Sequence, residues 1–168
     1  GARSLSAGGW PDMASALRIS TELGTITLRL RPDAAPQTVE YMSKLANSHL
    51  YDGTAFYRSD FVIQMGTHGS DRGNPLGDLP VNETHSHVKL SNTRGTAAVA
   101  HWDVPDCGNS EFFINLKTNT HLDEAYGGYC VFAQTEDEES FKVIDAIASA
   151  VNAKGRVIVN SVSTVSAG

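Results

Sequence analysis

Thr25-Ile26-Thr27-Leu28-Arg29-Leu30 alternates without a slip, with Ile26, Leu28 and Leu30 on one face and Thr25, Thr27 and Arg29 on the other. A period of two marks a strand buried on one side only. Working outward, Leu17 to Thr21 precedes it across Glu22-Leu23-Gly24, which reads as a turn, so the two segments make a hairpin. Downstream, short apolar runs bounded by turn residues recur at Phe56 to Arg58, Phe61 to Met65, Thr96 to His101, Glu111 to Asn115, Tyr129 to Gln134 and Val157 to Val165. That makes about eight strands, and an antiparallel sheet of this size loses its exposed edges by closing into a barrel. The fold class expected is mainly β.

Two helices interrupt the strands. Pro36 suits a first helical position, and Val39, Met42, Leu45 and Ala46 form an apolar stripe behind it. The second is signalled by Thr135 followed three residues later by Glu138, the spacing of a capping box. Glu136, Asp137, Glu138 and Glu139 gather negative charge where a helix dipole favours it. Phe141, Ile144, Ile147 and Val151 supply the apolar face.

The chain has 168 residues, enough to bury one real core. Its 13 Lys and Arg against 19 Asp and Glu give a net charge of −6, which argues against nucleic acid as a partner. No apolar run approaches the roughly 20 residues needed to span a bilayer, so no membrane partner is expected. Two cysteines, Cys107 and Cys130, build neither a disulfide framework nor, alone, a zinc site. Gly1 to Ser15 lack periodicity and the apolar centre of a secretory signal, and Gly1 is not a natural translation start. They are expected to be a tag, a linker or the remnant of a processed leader, beside a single domain over residues 16–168.

Three stretches carry chemistry: Phe56 to Gly66, reading FYRSDFVIQMG; Asn109 to Asn115, reading NSEFFIN; and His121 to Phe132, reading HLDEAYGGYCVF. An aromatic-x-Arg followed by Phe-x-x-Gln, then Ser-x-Phe-Phe-Ile, then Leu-Asp and Val-Phe, in that order, resembles the cyclophilin family of peptidyl-prolyl cis/trans isomerases. The likeness spans nearly the whole chain. It implies a closed eight-stranded antiparallel barrel capped by two helices, with a shallow outer cleft that grips an X-Pro dipeptide and needs no cofactor. By motif, Arg58 matches the catalytic arginine, Phe61 and Gln64 the Phe-x-x-Gln pair, and Phe113 and Leu122 the walls of the proline pocket. Ala100, His101, Glu111, His121 and Tyr129 fall at further substrate-binding positions, His101 where the family's contact runs largely through backbone. The expected partners are proline-containing peptides and proteins, the expected setting is the cytoplasm, and the expected state is a monomer. The runner-up is a weakly or non-catalytic proline-peptide binding module within a larger assembly.

Alternation adds a check that owes nothing to the resemblance. Glu111 and Phe113 share one face of their strand while Phe112 and Ile114 share the other, so one Phe can line a cleft as its neighbour fills the barrel; alternation alone also allows both to be core, and it is the resemblance that implies the cleft for Phe113. The chemistry requires no nucleophile or metal. Rotation about a peptide bond faces about 18–20 kcal/mol because twisting breaks amide resonance, and anything that stabilises the twisted amide more than the planar one accelerates it.

The chain departs from the family pattern at several places. Only Ser59 and Asp60 separate Arg58 from Phe61, where many members carry a longer segment with a proline, so a tighter rim is expected. Glu111 replaces a usual glutamine and Tyr129 a frequent histidine. The Glu111 carboxylate is expected either within reach of substrate and of Arg58, favouring Lys or Arg beside the proline, or turned to water and without effect. His121 stands where members sensitive to cyclosporin, a cyclic peptide, carry tryptophan, which implies weak cyclosporin binding. His85 and His87 read as surface residues rather than a metal pair, and Asn82-Glu83-Thr84 as a sequon relevant only after secretion. Cys130 reads as core, and Cys107, in a turn, as the more accessible thiol.

Overall fold

The computed structural model describes residues 14–85, 87–102, 104 and 106–166. Ten elements follow in order: β1 (Ala14–Thr21), β2 (Gly24–Leu30), α1 (Pro36–Asn47), β3 (Ala55–Ser59), β4 (Val62–Gly66), β5 (Thr96–Val99), β6 (Phe112–Asn115), β7 (Val131–Thr135), α2 (Glu138–Lys154) and β8 (Val157–Ser166). Two short 3-10 turns, Thr120–Asp123 and Ala125–Gly127, lie between β6 and β7. The strands close into an antiparallel barrel in the order β1-β2-β7-β5-β6-β4-β3-β8, so the expected fold class holds. The barrel has no free edge.

Alternation sorts the residues as the sequence predicts. In β1 and β2, Leu17, Ile19, Ile26 and Leu28 point inward and are fully buried, joined by Ile63, Met65, Phe112, Ile114 and Phe132 from the other strands. α1 packs against β1, β7 and β8, and α2 against β2, β3, β4 and β8. Residues 1–13 of the stretch expected to stand apart lie outside the described residues, but Ala14 pairs with Ser166 and the Ser15 hydroxyl donates to the Val165 carbonyl at 2.9 Å. The sheet thus begins two residues before the boundary read from sequence. Small Ala and Ser side chains leave no periodicity to mark it.

The start of α2 differs from expectation, whereas α1 begins at Pro36 as expected but draws its capping anion from elsewhere. α2 is capped not by Thr135 but by Asp137, whose carboxylate accepts from the Ser140 N–H at 3.0 Å. Thr135 stays in β7 and commits its hydroxyl to the Gly95 carbonyl at 2.8 Å. Within α2, Val143 takes the buried position assigned to Phe141; the Phe141 ring instead lies half-buried beneath the Arg94 guanidinium, 5.0 Å away. Pro36 does occupy the first turn of α1, yet Ala35 offers no capping side chain. Glu83, only 2% exposed, arrives from a loop 45 residues on, and its carboxylate accepts from Thr38 N–H at 2.7 Å and Gln37 N–H at 3.2 Å. An anion at a helix N-terminus satisfies orphan donors and the dipole together. The neighbouring sequon residue Asn82 donates to the Gly128 carbonyl at 2.7 Å and accepts from Thr84 N–H at 3.0 Å. Here the sequon is a strut between loops.

Four strands stop one or two residues short of their apolar runs. Phe61, Ala100 with His101, Glu111, and Tyr129 with Cys130 all fall just outside β4, β5, β6 and β7. Phe61 uses its carbonyl to accept from Leu116 N–H at 3.0 Å, and Tyr129 donates its N–H to the Leu122 carbonyl at 2.8 Å. Where the ladder ends, backbone and side chains become available to line a cleft.

Candidate active site

Register builds the site. Arg58 in β3 lies opposite Gln64 in β4, Gln64 opposite Phe113 in β6, Phe113 opposite Ala98 in β5, and Ala98 opposite Val131 in β7. Ala98, Phe113 and Val131 of this row join Val62 and Leu122 in a second apolar cluster, against which Phe61, Leu90, Ala100 and Tyr129 pack. Phe112 belongs to the barrel core and Phe113 to this outer cluster, as the alternation of Glu111 to Asn115 requires.

A cleft of about 280 Å³ opens over that cluster. It is lined by Arg58, Phe61, Gln64, Ala100, His101, Glu111, Phe113, Leu122 and Tyr129, nine of the ten residues singled out in the sequence. The tenth, His121, is exposed and meets the Phe61 ring edge-on with centroids 5.4 Å apart. Tyr129 stands edge-on to Phe113 at 5.6 Å and stacks on His101 at 4.1 Å, tilted by 12°. The His101 ring nitrogens lie 2.7 Å from the Trp102 carbonyl oxygen and 2.8 Å from that of Gly128. This clamps the ring at the edge of the cleft.

The short link from β3 to β4 proves to be a device for holding Arg58. Asp60 N–H donates to the Val62 carbonyl at 3.0 Å, and one Asp60 carboxylate oxygen accepts from Val62 N–H at 3.2 Å. The other accepts from Arg58 Nε at 2.8 Å. Arg58 Nη1 donates to Gln64 Oε1 at 3.1 Å, and its guanidinium carbon lies 5.3 Å from the Phe61 ring centre. Among the described residues Nη2 has no protein acceptor. The side chain is 40% exposed, so a planar cation is fixed in direction yet open to the cleft.

Glu111 does not meet Arg58 directly, as the sequence suggested it would. Its carboxylate is filled by donors: the Tyr57 hydroxyl at 2.8 Å, the Ser110 hydroxyl at 2.7 Å, and the N–H groups of Thr67 at 3.0 Å and His68 at 3.2 Å. It lies so close to the chain that a Cβ on Gly66 would collide with it. Arg58 takes Asp60 as its carboxylate instead, because a two-residue link brings Asp60 back to the arginine while Glu111 remains two strands away.

A buried amide network supports the cleft floor from behind. Asn115 donates to Asn92 Oδ1 at 3.0 Å, Asn119 to Asn115 Oδ1 at 2.9 Å and to the Phe61 carbonyl at 3.1 Å, and Asn92 to the Tyr129 carbonyl at 3.1 Å. Asn92 also donates to Asp123 at 2.8 Å. Burial pushes the Asp123 carboxyl up, but hydrogen bonds from Ser91 and Asn92 outweigh it and hold the group below the usual carboxylate range. Fully satisfied networks of this kind rigidify what they touch.

The cleft also contains residues that the sequence reading did not assign to it: Val62, Trp102, Cys107 and Asn109. Trp102 is 81% exposed, and its backbone N–H donates to Cys107 Sγ at 3.3 Å while that thiol donates to the Val104 carbonyl at 3.2 Å. Cys130 is buried, and burial pushes its thiol up to about 12, in keeping with its reading as core. Tyr57 and Asp60 were missed too. An arginine preceded by Tyr and followed two residues on by Asp carries no signal until its partners are known.

The site can hold a small apolar ring against Phe113 and Leu122 with a guanidinium beside it. Comparison with known proteins agrees with that geometry. The family model for cyclophilin type peptidyl-prolyl cis-trans isomerase/CLD matches residues 16–168. A peptidyl-prolyl cis-trans isomerase of Synechococcus elongatus is 37% identical over 132 residues, 77% of this chain and 86% of that protein. The isomerase cyp18 of Streptomyces antibioticus is 34% identical over 140 residues, covering 79% and 82%. Among solved structures, a Cryptosporidium parvum cyclophilin type peptidyl-prolyl cis-trans isomerase shares the fold with a TM-score of 0.78 at 22% identity, over 92% of this chain and 99% of that one. The same relative in the presence of the dipeptide Ala-Pro gives 0.76 at 22% identity, over 90% and 99%. Sequence motifs, barrel and relatives converge, and the chain belongs to the cyclophilin-type peptidyl-prolyl cis-trans isomerase family.

Proposed function

We propose that the cleft binds an X-Pro segment of a peptide or protein and that Arg58 stabilises the twisted amide. The observation that carries this reading is the cross-strand row placing the Arg58 guanidinium, through Gln64, beside the apolar wall of Phe113. The proline ring rests on Phe113 and Leu122 with Phe61 at its edge. When the bond twists, the proline nitrogen becomes pyramidal and gains a lone pair, and a fixed cation aimed there interacts more strongly than with the planar amide. A charge-assisted hydrogen bond contributes about 1.5–3 kcal/mol, roughly ten- to a hundred-fold in rate. The remainder comes from the apolar walls, which favour the less polar twisted amide, and from rim contacts that fix the flanking chain. Ala100, His101, His121 and Tyr129 supply that rim, while the Glu111 carboxylate is taken up by Tyr57, Ser110, Thr67 and His68. The relative solved with Ala-Pro supports an X-Pro ligand.

The test is a proline-isomerisation assay on a short X-Pro peptide with binding measured in parallel. Turnover well above the uncatalysed rate is expected. Binding without turnover would overturn the reading and leave a peptide-binding module. The protein is proposed to act as a monomer in the cytoplasm, where a reducing setting would keep Cys107 and Cys130 as the free thiols they are. Among the described residues no helix is long and apolar enough to cross a membrane.

Cyclosporin should bind weakly. The exposed His121 gives a smaller ring than an indole, and its donor depends on tautomer. His121→Trp is expected to tighten cyclosporin by about tenfold, the scale of an added aromatic contact, read by titration calorimetry. Tight binding by the unaltered protein would count against the assignment of His121 to the rim.

A further inference from the structure

The geometry points to Tyr57 as a positioning residue for Arg58, acting through a hydrogen-bond chain whose direction Glu111 sets. This rests on the catalytic reading of Arg58 and deepens it. Tyr57 sits at a bulge: Phe56 pairs with Met65 and Arg58 with Gln64, leaving Tyr57 as the extra residue of β3. A bulge re-aims side chains that strict alternation would send to opposite faces. Here both Tyr57 and Arg58 reach the side chain of the same cross-strand partner. Gln64 Nε2 donates to the Tyr57 hydroxyl at 2.9 Å, and Gln64 Oε1 accepts from Arg58 Nη1 at 3.1 Å.

The order of donors along this chain is not free. A carboxylate has only acceptors to offer, so at 2.8 Å the Tyr57 hydroxyl must donate to Glu111. Its lone pair is then what Gln64 finds, which obliges Gln64 to present its NH2 to Tyr57 and its carbonyl oxygen to Arg58. Reversed, the amide would put its NH2 against a guanidinium, which has no acceptor. Burial, and after it the charge of Glu111, push the Tyr57 phenol well above its ordinary value, so the donor keeps its proton. Glu111 is itself held by Ser110 and the N–H groups of Thr67 and His68, so the chain starts from a fixed end. Two of the departures noted in the sequence, a carboxylate at Glu111 and a tight link at Asp60, thus act on one group. Asp60 holds Arg58 Nε, and Glu111, through Tyr57 and Gln64, holds Nη1.

The experiment compares kcat and KM on one X-Pro peptide for the unaltered protein, Tyr57→Phe, Glu111→Gln, the two together, Arg58→Ala, and Tyr57→Phe combined with Arg58→Ala. Tyr57→Phe keeps the ring and removes the hydroxyl, and is expected to lower kcat by about threefold to tenfold, the scale of one lost hydrogen bond, with KM unchanged. Adding Glu111→Gln to Tyr57→Phe should lower kcat no further, since members of one chain are not additive. In the Arg58→Ala background Tyr57→Phe should change nothing. Thermal melting is recorded for each variant because Glu111→Gln also disturbs the acceptors of Thr67 and His68; Tyr57→Phe touches neither and is the deciding variant. An unchanged kcat for Tyr57→Phe, effects that multiply, or a Tyr57→Phe loss that persists without Arg58 would each overturn the positioning role. Failure of the catalytic reading looks different: Arg58→Ala would then retain full turnover.

Discussion

Replacing Arg58 with alanine is expected to lower isomerase turnover by at least an order of magnitude while leaving the melting temperature close to that of the unaltered protein. The two halves of this outcome have separate causes. The side chain is 40% exposed and leaves no cavity when removed, and surface changes of that kind usually cost about 0.5 kcal/mol or less. The rate falls because the cation is the group whose interaction with the amide grows on twisting. Arg58→Lys sharpens the test. Lysine keeps the charge but not the planar fork that lets Nε hold Asp60 and Nη1 hold Gln64 at once, so most of the loss is expected to remain. Circular dichroism melting and a peptide isomerisation assay on the same preparations read both halves. Wild-type turnover by Arg58→Ala would remove Arg58 from the mechanism.

The adjacent phenylalanines should fail in opposite ways. Phe112 is fully buried inside the barrel, edge-on to Tyr51 at 5.8 Å and to Phe132 at 6.0 Å. Phe112→Ala removes these contacts and leaves a closed cavity, and is expected to cost about 3–5 kcal/mol of folding stability, read by urea unfolding. A loss of that size is a large share of a small domain's total. Phe113→Ala empties the floor of the cleft instead. Water can enter the space, so the stability loss should be smaller, while the proline ring loses its wall and KM for the peptide rises. If Phe113→Ala unfolded the protein as readily as Phe112→Ala and left KM unchanged in what remained folded, the cleft would have been misplaced.

Part of this was legible in the residues because it is local. The alternation of Ile26, Leu28 and Leu30 depends only on the period of a strand, and eight such runs made a closed barrel the simplest solution to edge exposure. The same period separated Phe112 from Phe113. Helix starts were legible in place but not in detail. α1 begins at Pro36 as expected, yet its anion comes from Glu83, and α2 is capped by Asp137 because Thr135 is committed to a strand. Trp102 gave no sign of facing a cleft, since an exposed indole and a buried one look alike in a string of letters.

Alternation in the sequence by itself sorted the barrel strands' residues into inward and outward faces, and the family resemblance named ten residues, nine of which line one cleft. The tertiary structure alone decided how they are aimed. Tyr57 and Glu111 are 54 positions apart, and Tyr57 and Gln64 meet only because a bulge sets two residues of β3 opposite one of β4. Alternation is a property of one strand's own backbone. A bulge, a hydrogen-bond direction and the carboxylate an arginine chooses are properties of pairs of strands, fixed only when the barrel closes and brings their partners within about 3 Å of one another.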